Sequence, residues 1–189
     1  MPVWGWILVA VAAAVVIFAV AIVIANKTTR RNTERLKQRF GPEYERTVIE
    51  AGEEKAAEKE LTERERKREK LDIRPLTPAA LDGYVNRWRV VQTAFVDHPS
   101  SAVGEADLLV TEVMRERGYP VDDFDRQAAD ISVDHPTVVE NYRAAHDINL
   151  SQQRGEVGTE QQRQAFVHYR ALFAKLLETE KDTSQEASA

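Results

Sequence analysis

An unbroken apolar run near the N-terminus constrains the fold of this chain more than any other feature. Residues 3–25 read VWGWILVAVAAAVVIFAVAIVIA and carry no charged side chain. As an α-helix this run is about 34 Å long, which is enough to cross a hydrocarbon core of about 30 Å. The sequence therefore predicts a transmembrane anchor over residues 1–26, with residues 3–25 in contact with the lipid bilayer.

The residues that flank the run predict its orientation. Trp4 and Trp6 lie at its start, where amphipathic rings prefer the headgroup level. An excess of positive charge marks the cytoplasmic side of a span, so we expect the C-terminal body to be cytoplasmic. The alternative is secretion after signal cleavage, since Val23-Ile24-Ala25 is similar to a cleavage site. Six basic residues follow the run, with only Glu34 against them: Lys27, Arg30, Arg31, Arg35, Lys37 and Arg39.

The composition excludes several classes of function. The chain has no cysteine, which excludes a disulfide framework, a thiolate metal site and a cysteine nucleophile. Residues 75–189 carry 11 basic and 19 acidic side chains. Binding to a phosphate backbone requires clustered Lys and Arg, so we expect no nucleic acid partner.

Residues 27–74 are predicted to form a basic juxtamembrane segment and a charged spacer helix. Gly41-Pro42 interrupts this segment, and a proline suits the first turn of a new helix. From Glu43 to Leu71 the chain consists mostly of Glu, Lys, Arg and Ala, which favour helix. Apolar residues are too sparse for a strong coiled-coil seam. We therefore expect a solvated spacer that holds the body away from the bilayer, or alternatively a weak parallel dimer helix.

Residues 75–180 are predicted to form a compact bundle of about five helices, which makes the chain all-α. Apolar residues recur there at spacings of three and four, as on one face of a helix, and no strand pattern is evident. The polar residues 181–189 are expected to form a disordered tail. The predicted helices run from Pro78 to about Val96, Pro99 to Arg117, Asp123 to Ile131, from Pro136 onward, and from Thr159 to Leu177.

Local signals predict how several of these helices begin and end. Thr77-Pro78 fits an N-cap followed by a proline at the first helical position. Gly118 fits the position just after a helix C-terminus, and the aspartates of Asp122-Asp123 fit an N-cap better than a calcium loop. Thr159 to Gln162 matches a capping box.

The tetrapeptide Val-Asp-His-Pro occurs twice, at residues 96–99 and 133–136. A proline suits the first helical turn and an aspartate before it can accept amide protons, so we interpret both copies as helix caps. The alternative is chemical, because imidazole beside carboxylate can bind metal or transfer protons. If the two helix starts met, four side chains would form a mixed metal or acid–base site: Asp97, His98, Asp134 and His135.

No stronger catalytic or cofactor pattern is present. His146 and His168 complete the histidines of the chain, and none has the spacing of a zinc protease motif. Glycine-rich phosphate loops and nucleophile elbows are also absent from the sequence. We therefore predict no catalytic residue and no cofactor, and the four residues above are the only candidate metal ligands.

Several segments together resemble an uncharacterised family of bacterial proteins with one membrane span. The resemblance covers about Phe40 to Leu177 and implies a protein of the bacterial cell membrane, but it implies no activity and no catalytic residue. The segments that carry it are Leu71-Asp-Ile-Arg-Pro-Leu76, Arg87-Trp-Arg-Val-Val-Gln92, Phe95-Val-Asp97, Arg117-Gly-Tyr-Pro-Val121, Ala128-Ala-Asp-Ile-Ser-Val-Asp-His-Pro136 and His168-Tyr-Arg170.

The sequence therefore favours a membrane-anchored interaction module over an enzyme. The partner would be another protein or a second copy of the chain. The alternative is a ligand- or metal-responsive sensor or enzyme that uses the paired Asp-His-Pro segments.

Overall fold

The structure, a computed structural model, describes Lys27 and residues 30–178. The chain divides into two compact units between Arg39 and Phe40, and residues 30–39 of the first unit are helical. Within the described ranges, no helix combines the length and the apolar character that a membrane crossing needs. The predicted span at residues 3–25 and the predicted tail at residues 181–189 lie outside these ranges.

Between Phe40 and residue 178 the chain forms seven helices, and residues 30–178 contain no strand. The all-α prediction is confirmed for this part of the chain, and so is the bundle of about five helices, which is formed by α3 to α7. The helices are α1 (Pro42–Ala51), α2 (Glu54–Arg68), α3 (Pro78–Ala94), α4 (Pro99–Arg117), α5 (Phe124–Asp134), α6 (Val139–Gln153) and α7 (Thr159–Leu177).

The core of the bundle lies where α4 and α6 pack on α7. Trp88 brings α3 onto this core, because its indole stacks on Phe173 at 4.5 Å and on Phe166 at 5.2 Å between ring centroids. Such stacked pairs contribute beyond the area they bury. The fully buried members from three helices include Val103, Leu109, Val110, Val113, Met114, Val139, Tyr169 and Leu172.

The predicted helix ends are largely confirmed, except that α6 begins at Val139 and not at Pro136. Thr77 Oγ1 accepts a hydrogen bond from Ala80 N at 3.2 Å, and Asp123 Oδ1 accepts one from Arg126 N at 2.9 Å. Gly118 ends α4 in the left-handed conformation, with φ of 101°.

The capping box predicted for α7 is only half formed, because its N-cap is glycine, which has no side chain to accept an amide proton. Gly158 is the N-cap, and its N–H donates to Gln161 Oε1 at 3.2 Å. Thr159 is already the first helical residue, so the third helical position belongs to Gln161 and not to Gln162.

The prediction of one solvated spacer helix is wrong. The segment forms a helical hairpin of α1 and α2, because Gly52 takes φ of 73° and its N–H closes α1 onto Val48 O at 3.0 Å. Glu43, Ala57 and Leu61 are fully buried, and α2 packs against α5. This packing is not evident from the sequence, because the contacts of the hairpin with the bundle are made mainly by charged side chains.

Candidate functional site

The two Val-Asp-His-Pro segments form the same corner between helices. His98 has φ of −135° and ψ of 65°, and His135 has φ of −133° and ψ of 57°. Each histidine N–H donates to the carbonyl four residues earlier at 2.8 Å. A residue before proline is kept out of the helical region, so the histidine ends one helical turn and turns the chain toward the next segment.

The capping role predicted for the two aspartates is wrong. The N-cap of α4 is His98, and it makes no side-chain capping bond. Asp97 therefore lies one residue before the N-cap of α4. Asp134 is the last residue of α5 and does not begin a new helix. The proline sets the corner, and the aspartate does not reach the free amide protons.

The structure does not bring the four candidate metal ligands together. Asp97 and His98 are exposed, whereas the carboxylate of Asp134 accepts hydrogen bonds from Arg68 Nε and from the Tyr119 hydroxyl. In the described part of the chain, no group of three or more His, Cys, Asp or Glu side chains is placed to hold a metal ion.

His135 is a half-buried histidine with a buried Nε2 atom. Its Nε2 has no hydrogen-bond partner within the described ranges. Burial lowers the pKa of His135 to about 4, although the charge of Asp134 opposes this shift. The side chain is therefore uncharged near neutral pH, which removes it as a proton donor there.

A buried ion cluster attaches the α1–α2 hairpin to the bundle. Glu43 is inaccessible to solvent, and its carboxylate accepts bonds from Arg64 Nη1 at 2.7 Å and from both Nη atoms of Arg143 at 2.6 and 2.7 Å. The two bonds from Arg143 form a bidentate contact, which is the strong geometry for an arginine–carboxylate pair. Burial alone would raise the pKa of Glu43, but the hydrogen bonds and charges of the two arginines outweigh it and lower that pKa.

Two further ion pairs join the hairpin to α5 and α6. Arg68 at the end of α2 binds Asp134 at the end of α5, and Arg46 of α1 binds Glu140 of α6 at 3.1 Å. Arg64 also donates to Ser132 Oγ at 3.3 Å. These contacts fix α2 beside α5, which creates the groove described next.

A groove of about 560 Å³ lies between α2 and α5. Ala56 and Ala129 leave space in it because their side chains are small. The charged residues that border it come mainly from one face of α2, at spacings of three and four, together with the start of α5. The lining consists of Ala56, Lys59, Glu60, Glu63, Arg64, Lys67, Arg126, Ala129 and Asp130.

Asp130 is the most unusual residue of this groove. It is 4% exposed, and it makes no hydrogen bond or ion pair with any residue between 30 and 178. Burial raises the pKa of Asp130, while the charges of Arg126 and Lys67 oppose only part of that effect. Its carboxylate oxygens are not sealed from solvent, so the cost to the fold is smaller than for a fully enclosed charge, and Asp130 is a candidate binding residue.

The cations beside Asp130 are also unpaired. Lys59, Lys67 and Arg126 are exposed, and their side chains form no ion pair within residues 30–178. The neighbouring acids are already engaged, because Glu60 accepts from Arg64 at 2.5 Å and Glu63 lies 3.8 Å from Arg66. The groove therefore presents one negative charge of low exposure and three exposed positive charges.

A smaller cleft lies between α4, α5 and α6, with a volume of about 180 Å³. Tyr142 and Gln127 line it, and the tyrosine hydroxyl donates to Gln127 Oε1 at 2.7 Å. His146 stacks on Phe124 at 3.6 Å between ring centroids, and its buried Nδ1 lacks a hydrogen-bond partner in the described part of the chain. The border also includes Asp107, Asp122 and Asp123.

Sequence reasoning missed both the groove and the ion cluster. Glu43 and Arg143 are 100 positions apart, so no local spacing connects them. Asp130 is a polar residue in an amphipathic helix, where a solvated position is the ordinary expectation. The one available signal was the pair of small residues, Ala56 and Ala129, within otherwise charged helix faces. Comparisons with family models, with curated proteins and with solved structures found no match to this chain.

Proposed function

We propose that this protein is a single-pass membrane-anchored module that binds another protein through its helical body and performs no catalysis. The observation that carries the proposal is the buried, unpartnered carboxylate of Asp130 at the base of the α2–α5 groove. Nearby cations compensate this charge only in part, and a partner that places a cation directly on the carboxylate would stabilise it further.

The attachment of the hairpin supports the same proposal. One wall of the groove belongs to α2 and the other to α5, and the pair formed by Arg68 and Asp134 holds them together. The groove is therefore pre-formed, which reduces the entropy lost when a partner binds.

The membrane part of the proposal rests on the apolar residues 3–25 and on the basic residues that follow them. A bacterial cell membrane location with a cytoplasmic body is the proposed arrangement. The chain lacks cysteine, so single cysteines can be introduced at Pro2 and at the exposed Ser101. A membrane-impermeant maleimide should label the first in intact cells and the second only after lysis; the reverse pattern would contradict the orientation.

Site-specific photo-crosslinking in native membranes tests the binding function. A photoreactive amino acid replaces Ala56 or Ala129 in the groove, and the exposed Asn86 of α3 serves as the control position. We expect one defined product from the groove positions, and the purified partner should then bind the purified full chain. Products that match membrane protein abundance at all three positions would refute the proposal.

A ligand-responsive body is the second candidate function, and the cleft beside His146 favours it. The cleft combines unpaired imidazole nitrogen with three nearby aspartates, which suits a small organic cation. This support is separate from the paired Asp-His-Pro segments. Thermal unfolding of the full chain with a panel of small primary and quaternary amines would test it, with His146→Ala as the variant that should lose any stabilisation.

A further inference from the structure

The groove carries a charge pattern that constrains what can occupy it. Asp130 is the only lining acid that has no cation bound to it within residues 30–178, and it is nearly inaccessible. Lys59 and Lys67 lie eight residues apart on α2, which corresponds to about 12 Å along the helix. Arg126 lies one turn before Asp130 on α5. The negative charge is thus at the base, with positive charges around it.

We propose that the groove binds a peptide segment of the partner in which one lysine or arginine pairs with Asp130 and flanking acidic residues pair with Lys59, Lys67 and Arg126. This inference rests on the proposed function, and it adds the class of partner sequence that the body recognises. Complementary charges of this kind fix register and exclude wrong partners.

The burial of Asp130 selects a long cationic side chain. A cation must reach the base of the groove, and the aliphatic stems of lysine and arginine can pack on Ala56 and Ala129 while the charged end meets the carboxylate. The ion pair forms inside the groove, where Coulomb attraction is stronger than at a fully exposed site. A bare divalent ion would find only one free carboxylate in the groove, which is fewer ligands than such an ion needs.

The size of the groove agrees with a short peptide segment. Its volume of about 560 Å³ lies within the range of sites that enclose small ligands and accommodates a few side chains. The three cations project from its rim as exposed residues, so they can reach acidic residues on either side of the inserted cation.

Binding of synthetic peptides to the full chain in lipid nanodiscs tests the proposal. The probes are short fluorescent peptides with one lysine between two glutamates at varied spacing, and matched peptides in which norleucine replaces the lysine or all charges are reversed. We expect at least one lysine peptide to bind, with affinity lost by about tenfold or more on norleucine replacement. Equal binding of the charge-reversed set, or no binding by any lysine peptide, would overturn the proposal.

Variants of the chain locate the binding to the groove. Asp130→Asn should weaken the best lysine peptide by about tenfold, whereas Asp125→Asn removes an exposed charge from the same helix and should leave binding unchanged. Lys67→Glu should shift preference toward a peptide with lysine in place of one glutamate. Equal effects of the two asparagine variants would overturn the proposal.

The partner crosslink separates this inference from the function on which it rests. If Asp130→Asn and Lys67→Glu leave the defined crosslink from the body intact, the peptide inference fails while the interaction module stands. If no position of the body yields a defined partner, the proposed function itself fails.

Discussion

At the scale of single residues, Glu43 makes the contact with the largest expected effect on stability. Replacing it by glutamine leaves Arg64 and Arg143 without their shared counter-charge in a buried site. Removing one partner of a buried ion pair typically costs about 3–5 kcal/mol. Glutamine keeps an amide oxygen that can still accept a hydrogen bond, so we expect Glu43→Gln to lie near the lower end of this range. Urea unfolding of the full chain measures this loss. Glu45→Gln, at an exposed position of the same helix, should change the free energy of unfolding little, and equal effects would contradict the prediction.

His135 should make the stability of the body depend on pH. Its pKa is about 4 in the folded chain and about 6.5 in an unfolded one, so the unfolded chain binds more protons between these values. The associated stability is present above pH 6.5 and is lost as the pH falls toward 4. In His135→Gln the free energy of unfolding should therefore depend less on pH, with a slope between pH 6.5 and 5 that is smaller by up to about 1.4 kcal/mol per pH unit.

Unfolding by urea at several pH values in that window checks the His135 prediction. The restricted window separates this effect from the titration of Glu43, whose lowered pKa matters in more acidic solution. His98→Gln, at an exposed site, is the matched control and should keep the slope of the original chain. An unchanged slope in His135→Gln would contradict the prediction.

Asp130→Asn is expected to stabilise the isolated protein, opposite to its effect on peptide binding. Asparagine removes the buried charge that lacks a partner, and about 1 kcal/mol is expected at neutral pH. Burial raises the pKa of Asp130, so the gain should shrink as falling pH protonates the original carboxyl group. Thermal or urea unfolding against Asp125→Asn measures the difference. A loss of stability at neutral pH would contradict this interpretation of Asp130.

At the scale of helices and their connections, Gly118 is the connection with the least tolerance for change. Its φ is 101°, and a Cβ there would overlap the carbonyl oxygen of Asp72. The neighbouring chain is also fixed, since Arg74 N donates to Arg117 O at 3.0 Å. Gly118→Ala should therefore lower the free energy of unfolding by about 2 kcal/mol or more.

Gly83→Ala is the matched control for this substitution. Gly83 lies inside α3, and a Cβ there meets nothing within 4 Å. Alanine in a helix interior is favoured over glycine by about 0.5–1 kcal/mol, so this variant should gain stability. If both alanine variants changed unfolding in the same direction, the steric argument for Gly118 would fail.

The sequence predicted those elements whose ends are set by local chemistry. Thr77, Asp123 and Gly118 act within one helical turn, so their roles follow from residue type and position. The attachment of the hairpin could not be predicted from the sequence, because it depends on a contact between Glu43 and Arg143 across 100 positions. The groove was missed for a similar reason, since the burial of Asp130 depends on where α2 packs and not on the pattern of α5.

At the scale of the whole molecule, the hairpin and the bundle should unfold as one cooperative unit. Phe40–Ala189 forms one compact unit, and buried or half-buried ion pairs connect its two parts. A fragment that begins at residue 75 loses these contacts and should be less stable than one that begins at residue 40 by about 2 kcal/mol or more. Urea unfolding of the two fragments provides the measurement, and equal midpoints and slopes would show that the hairpin contributes nothing.

The position of Glu43 also determines how the protein responds to mechanical force. The chain enters the second unit at Phe40, and Glu43 lies in the first turn of the first helix after it. A pull applied on the N-terminal side of Phe40 would load the buried side chain of Phe40 first and the bond between Glu43 and Arg143 next. Rupture of that bond would leave α1 attached to α6 only through Arg46 and Glu140, whereas the pair of Arg68 and Asp134 would still hold α2 beside α5; tension would therefore reach α1 before the groove.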